Sequence, residues 1–547
     1  MKPIFLSLLL LPGIVFGQKM KKSDRAILES LKANIGYLAD DKLEGRRAGT
    51  PGEGLAMNYI ADQFTKAGLQ PRGDNNGFVQ AFNIDDGMAI KPSSIFQVDG
   101  RDLKPGTDFF PLGYSPDSRL IEAAASTSLA EKNTPWFKDL GDALVNNKDN
   151  PHFDLSDFIH TTIKNAAAKG ASALILYNSS ELPDYIKFDG KDKSEKSQIP
   201  VIYVTRKAWD QNIKDLSASY DFKIRIETTP VSRTGHNVVG YIDNGAALTV
   251  VFGAHFDHLG YGEDGNSMLR TGEKLIHNGA DDNASGTAAL IEIAKLIKKS
   301  RLKKQNFLFL AFSGEELGLF GSKYYVEHPT VSLTSMDYMI NMDMVGRLND
   351  STKTVTVGGY GTSPVWGTII KTDQKSPFAI KIDSSGTGPS DHTSFYRKDI
   401  PVLFFFTGLH SDYHRPTDDA DKINYMGEYT IVKYIYSVVQ NTSGMGKLAF
   451  AKTREQQAGT STRFSVSMGI MPDYTFSGAG VRVDGVSDGR PAQKAGLKTG
   501  DVVTQLGDHK ISSLETYMQA LGKFKKGDAA KVKVKRGNSE LVFDIVF

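Results

Sequence analysis

Apolar residues recur along this chain with changing periods, and the changes divide it into regions. Over residues 51 to 67, "PGEGLAMNYIADQFTKA", Leu55, Tyr59, Ile60 and Phe64 fall at helical spacing and Gly68 follows as a carboxyl-terminal cap, which predicts an amphipathic helix. From His236 onward the apolar positions merge into continuous runs, "NVVGYI", "LTVVFGAHFD", "NFLFLAFSG", "YMINMDMVG" and "IPVLFFF", alternating with helical stretches. Runs of that kind suit strands covered on both faces. The expected fold class is therefore α/β, a mixed, mostly parallel sheet sandwiched by helices.

Between these regions, "TTIKNAAAKG" reads as a helix and "GASALILYNSS" and "IPVIYVTRKAW" as short strands, so residues 91–232 form a small α/β or β-rich insert. Residues 18–90 and 233–445 then belong to one domain that the insert interrupts. Residues 446–461 are small and polar, as a linker would be, and 462–547 alternate short strands with turns. At the start, Lys2 precedes an apolar run from Ile4 to Phe16 broken at Pro12 and Gly13. That run is shorter than the roughly 20 residues of a membrane-spanning helix, and residues 1–17 read as a signal peptide. No transmembrane anchor is expected, and without cysteine there is neither a lipoprotein anchor nor a disulfide. The protein is expected to be exported, either periplasmic or secreted. Its net charge of +2, from 65 basic and 63 acidic residues, gives no reason to expect nucleic acid as a partner.

The polar residues inside this apolar pattern carry the chemistry. His255 and Asp257 close one run and share a strand face, with His258 facing the other way. Glu315 and Glu316 follow a second run among glycines, and Asp343 interrupts a third, where an unpaired charge is costly. His414 lies in the loop "SDYHRPTDD". Taken singly, each has a plainer explanation: a satisfied strand-end histidine, acids at a helix start, a solvated loop residue. At the carboxyl ends of successive strands they converge. Imidazoles and carboxylates without thiolate suit a catalytic zinc pair, and of two neighbouring glutamates one can bind metal while the other acts as general base. In "NGADDNASGTAAL", helix capping explains one of Asp281 and Asp282 but not both; beside two cations a carboxylate can bridge them.

In order and context, "GAHFDHLG", "NGADDNASGTAAL", "FSGEELGLFGS", "NMDMVGR" and "YHRPTDD" resemble the motifs of the secreted di-zinc aminopeptidases, a family related to glutamate carboxypeptidase II, the glutaminyl cyclases and the transferrin receptor. The resemblance implies two divalent metal ions, most simply zinc, with Asp281 bridging, Glu316 and His414 on one ion and His255 and Asp343 on the other. It implies Glu315 as general base, Asp257 as a supporting acid beside His255, and a cis bond from Asp281 to Asp282. "GPSDHTSF" is similar to a family segment in which His392 would donate to the oxyanion and Asp391 would orient it. The insert is similar to a protease-associated domain. The tail resembles a PDZ domain, with Ser467, Met468, Gly469 and Ile470 in the position of its carboxylate-binding loop, so peptide C-termini join peptide substrates as expected partners. Within this fold, carboxypeptidase or dipeptidase action, glutaminyl cyclisation and a non-enzymatic binding role are the alternatives to amino-terminal hydrolysis.

Overall fold

The computed structural model describes residues 20–547 except 148–152, 154, 185, 191, 193, 194, 214, 270, 272, 372–375, 454–465, 473–478, 487, 488, 513 and 538. The signal-peptide reading of residues 1–17 and the second half of the linker, residues 454–461, therefore lie outside the described residues. Among those described, no helix is long and apolar enough to cross a membrane.

A nine-stranded sheet organises the largest unit. Its main strands are β1 (Val79–Ile90), β2 (Thr228–Ile242), β3 (Thr249–His255), β4 (Asn306–Phe312), β5 (Met336–Met342), β6 (Thr354–Gly358), β7 (Ala379–Ile382) and β8 (Val402–Phe406). They lie in the order β2-β4-β3-β5-β8-β6-β7, with β1 and the short Gln70–Pro71 both on β2. Pairing is parallel through the centre, from β4 to β3, β5 and β8, and antiparallel where β2 meets β4 and β8 meets β6. The sheet is mixed, with its parallel part confined to the centre and the β6–β7 edge.

The apolar runs are continuous because both faces are covered. In β4, Phe307, Phe309 and Ala311 join one core while Leu308, Leu310 and Phe312 join the other, the alternation a pleated strand imposes. The first core is closed by helices α1 (Lys22–Leu38), α2 (Pro51–Ala67), α3 (Gly286–Lys298) and α5 (Tyr425–Thr442), the second by α4 (Phe320–Glu327) and the turn of helix His392–Tyr396. Helix α2 has the expected length and ends on left-handed Gly68. Its inward face differs from the expected one: Ala56, Ile60 and Phe64 are buried and Leu55 is 43% exposed. Gly52 sets that phase, since a Cβ there would lie 1.9 Å from the carbonyl oxygen of Leu43, so only glycine lets the helix approach on this side.

Chain between β1 and β2 forms the insert, two four-stranded sheets with their own cores. Its last strand, Ser219–Arg225, precedes β2 at Thr228, so residues 228–232, expected in the insert, are part of the long β1–β2 ribbon. The C-terminal unit is a six-stranded sheet around Met468, Val503, Leu506, Val532, Val534 and Ile545.

Candidate metal centre

Strand register brings the polar residues together. His255, the last residue of β3, stands opposite Phe312 of β4, and Gly253 stands opposite Asn341 of β5. Two residues further along the β3–β5 ladder, His255 is level with Asp343, which lies just past β5 instead of within it. Glu315 and Glu316 follow the end of β4 after Gly314, whose φ of +68° turns the chain at once. Asp282 sits at the entry to α3, its φ and ψ of −105° and 92° outside the helical region. His414 comes from the loop after β8.

The ligand atoms of two groups face one another without bonds to other elements. His255 Nε2 is 3.4 Å from Asp282 Oδ1 and 3.4 Å from Asp343 Oδ1. His414 Nε2 is 3.3 Å from Asp282 Oδ2 and 3.2 Å from Glu316 Oε2. Ligands of a tetrahedral zinc, each about 2.0–2.1 Å from it, are about 3.3 Å from one another. Asp282 thus presents one oxygen to each group. Both imidazoles are already turned for ligation: Nδ1 of His255 is 3.2 Å from the carbonyl of Asp257, and Nδ1 of His414 is 2.9 Å from that of Asn266, which leaves Nε2 directed inward. The carboxylate of Asp257 is further from His255, at 3.7 Å, and its Oδ1 accepts from the amide of Glu315.

Charge in the cleft is unbalanced. Its lining includes Asp282, Glu315, Glu316 and Asp343 with His255 and His414, and no lysine or arginine. Burial alone would lower His255 and His414, but Asp343 and Glu315 around the first and Glu316 and Asp282 around the second hold both well above the usual imidazole range. The adjacent glutamates are pushed apart. Burial raises Glu315 well above the usual carboxyl range, opposed by His255 and reinforced by Asp391 and Asp343. Burial would raise Glu316 too, but His414 and His258 hold it well below. Four acids around two imidazoles, with no lysine or arginine in the cleft lining, are a donor set that could hold a divalent metal.

Four expectations differ from the structure. Asp281 is turned away from this group: its Oδ1 accepts from the Gly346 amide at 2.7 Å and from the Ser285 hydroxyl, and its Oδ2 is 3.2 Å from His410 Nε2. Asp282 occupies the central position, and the cis bond joins Asp282 to Asn283. Gly279, in left-handed conformation, and the non-helical Asp282 and Asn283 shape the turn so that Asp282, and not Asp281, faces the histidines. His258 does not face away, because strand alternation ends at His255; its Nδ1 is 2.7 Å from Glu316 Oε1. It belongs to a possible ligand group with Asp282 and Glu316, but at hydrogen-bond distance from Glu316 it holds that carboxylate's second oxygen and leaves Oε2 to face His414. Asp391 makes no hydrogen bond to His392. It is fully buried beside His255, Asp257 and Asp343, and burial raises it to about 7.

His392 lines the cleft, stacked on Phe404 with centroids 4.5 Å apart, and burial lowers it to about 3, so the ring is neutral. Two supports are missed by sequence reasoning. Asp418 Oδ2 accepts from the amides of both Asp281 and Asp282 at 3.0 Å, which fixes the turn that aims Asp282. Arg46, fully buried, donates to the carbonyls of Leu38, Phe256, Asn278 and Gly279, tying the N-terminal segment to the two loops that flank the centre. In the C-terminal unit, Met468 is buried, Gly469 has φ of +78° and a Cβ there would collide with Arg490, and Ile470 pairs with Val486. The Gly469 amide donates to the hydroxyl of Ser467.

Residues 237–439 match the sequence model of peptidase family M28, and residues 452–546 that of the PDZ domain. The chain is similar to Aminopeptidase YwaD of Bacillus subtilis, 25% identical over 399 residues that make up 69% of this chain and 77% of that protein. It is also similar to Leupeptin-inactivating enzyme 1 of Streptomyces exfoliatus, 34% identical over 171 residues, 29% of this chain and 37% of that one. Among solved structures, BSAP, a zinc aminopeptidase from Bacillus subtilis, aligns over 79% of this chain and 96% of its own with 20% identity and a TM-score of 0.43.

Proposed function

We propose that this chain, a peptidase of family M28 through residues 237–439 with a PDZ domain behind them, is a two-zinc exopeptidase that releases amino-terminal residues from peptides. The coarser reading, a zinc aminopeptidase, is supported by the family match and by the names of its relatives. The finer reading rests on one observation: the two carboxylate oxygens of Asp282 each face a separate histidine–acid pair, at 3.4 and 3.3 Å from the histidine. His255, Asp282 and Asp343 would hold one ion, and Asp282, Glu316 and His414 the other.

Zinc at such positions polarises a carbonyl and lowers the pKa of a water to about 7. Around it, Glu315 has the location and acidity of the general base. Its Oε2 is 4.0 Å from His255 Nε2, facing the centre without ligating distance, and its burial raises its affinity for a proton. Glu315 takes the proton of the attacking water at Oε2 and passes it to the departing amine. His392, neutral and on the same cleft wall, offers an N–H to the oxygen of the tetrahedral intermediate. Asp257 holds the Glu315 amide, and His258 holds Glu316. The PDZ groove beside Ile470 would take an extended peptide C-terminus, and residues 1–17 would direct export to the periplasm or beyond.

Mass spectrometry of products from a free-amine peptide, its acetylated twin and a glutamine-leading peptide tests this, before and after chelation and with zinc restored. The expected result is loss of one amino-terminal residue from free-amine peptides alone, abolished by chelator and recovered with zinc. Release of carboxyl-terminal residues, loss of ammonia, or no metal-dependent change would each replace the reading with a rival.

A further inference from the structure

The cleft has a second end, away from the metal centre, with one acid in it. Strand β6 pairs with β8 so that Thr356 stands opposite Phe406 and Gly358 opposite Phe404, and these four residues line the cleft while Val355, Val357, Leu403 and Phe405 face the helices. On its other side β6 pairs in parallel with β7, Val357 opposite Ile382. One residue further brings Asp383 level with Gly358, on the cleft side, and the amide of Asp383 donates to the carbonyl of Val357. With no side chain on Gly358, the Asp383 carboxylate reaches the cavity that Phe404 and Phe406 wall.

Asp383 is partly buried and has no counter-ion among the described residues. Its Oδ1 accepts from the Ser385 amide at 2.9 Å. Burial raises its pKa and that amide opposes it; no lysine, arginine or histidine and none of the metal-centre acids contributes. Strand β7 is three strands along the sheet from β5, so the Asp383 carboxylate stands apart from Asp343 while lining the same cleft. A partly dehydrated carboxylate between aromatic walls costs free energy until a cation meets it.

We infer that Asp383 is a specificity-determining residue, which binds the cationic end of a lysine- or arginine-type side chain on the residue being released while Phe404 and Phe406 pack its aliphatic stem. The inference rests on the aminopeptidase reading above. A hydrocarbon of lysine's length would keep the stem contacts and leave the carboxylate unpaired, so discrimination resides in the charge.

The test compares L-lysyl and L-norleucyl 4-nitroanilides, equal in length, on the zinc-loaded full chain. In the wild type kcat/KM for the lysyl compound should exceed that for the norleucyl one at least ~10-fold, and Asp383→Asn should reduce that ratio by about 10- to 100-fold, with Asp383→Glu retaining most of it. Calorimetry supplies a readout without turnover. Free L-lysine should bind the Glu315→Gln protein more tightly than L-norleucine, and Asp383→Asn added to that protein should remove the difference. A wild-type ratio at or below one, or a ratio unchanged in Asp383→Asn, overturns the role of Asp383 and leaves the aminopeptidase reading standing. Cleavage of neither anilide, with carboxyl-terminal residues released from peptides instead, overturns both.

Discussion

The central sheet and the second sheet of the insert place acids in the same situation and treat them in opposite ways. Both contain parallel strands, and in both an acid stands at or just past a strand's carboxyl end: Asp343 after β5, Asp139 closing Pro135–Asp139. In the insert the neighbouring turn supplies donors. Asp139 Oδ1 accepts from the amides of Gly141 and Ser179 at 2.8 and 3.1 Å, and its Oδ2 from the Ser179 hydroxyl. Asp184 nearby is met by the Tyr203 hydroxyl and the Arg206 amide. At the metal centre, among the described residues, no backbone or hydroxyl donor reaches the carboxylates of Asp282 or Asp343; only imidazoles face them. Strand ends provide converging positions in both sheets. A metal site arises where the surrounding chain withholds the donors that would otherwise neutralise the acids.

The contrast can be broken by substitution. The largest effect is expected from Asp282→Ala, which removes the one group shared by both ion positions: zinc content should fall below one ion per chain, with kcat/KM reduced by more than about 10,000-fold, an effect of the size seen when a unit of catalytic groups is dismantled. Next is Glu315→Gln, expected to keep zinc content and unfolding midpoint while kcat falls about 100- to 10,000-fold. Near-native turnover there would remove Glu315 from its role. His258→Phe should weaken zinc binding about 10- to 100-fold in a chelator competition, because the second oxygen of Glu316 loses its donor. Smallest is Asp139→Asn in the insert, which should lower stability by about 1 to 2 kcal/mol in a denaturant titration, with zinc content and kcat/KM unaltered. Loss of zinc from that variant would erase the distinction between the two sheets.

Much of this was legible because it is periodic. Continuous apolar runs located the central strands; His255, Glu315, Glu316 and Asp343 stand at or just past their ends in the structure, and His414 in the loop after β8. The errors begin where period stops. Strand alternation carried past His255 sends His258 to the wrong face, and matching "NGADDNASGTAAL" to the family motif assigns the bridge to Asp281; left-handed Gly279 and the non-helical Asp282, which aim the second acid instead of the first, have no periodic signal. The exposed Leu55 is an error of the same kind, decided by how closely Gly52 lets α2 approach Leu43. Supports acting over long sequence separation left no local trace. Arg46 meets chain 210 to 233 residues away, and Asp418 meets amides 136 and 137 residues away. Asp418 lies inside the quoted "YHRPTDD" and Arg46 in "LEGRRAG", ahead of the first predicted helix, where their residue types, a buried cation and an amide-capping acid, were the available clue.

The central claim is that Asp282, and not its neighbour, joins two metal ions. X-ray diffraction from zinc-loaded crystals, with anomalous data on both sides of the zinc edge, tests it directly. Two zinc peaks are expected about 3.5 to 4 Å apart, one beside each carboxylate oxygen of Asp282, with His255 and Asp343 on the first and Glu316 and His414 on the second. A single peak, or a zinc held by Asp281, would contradict it.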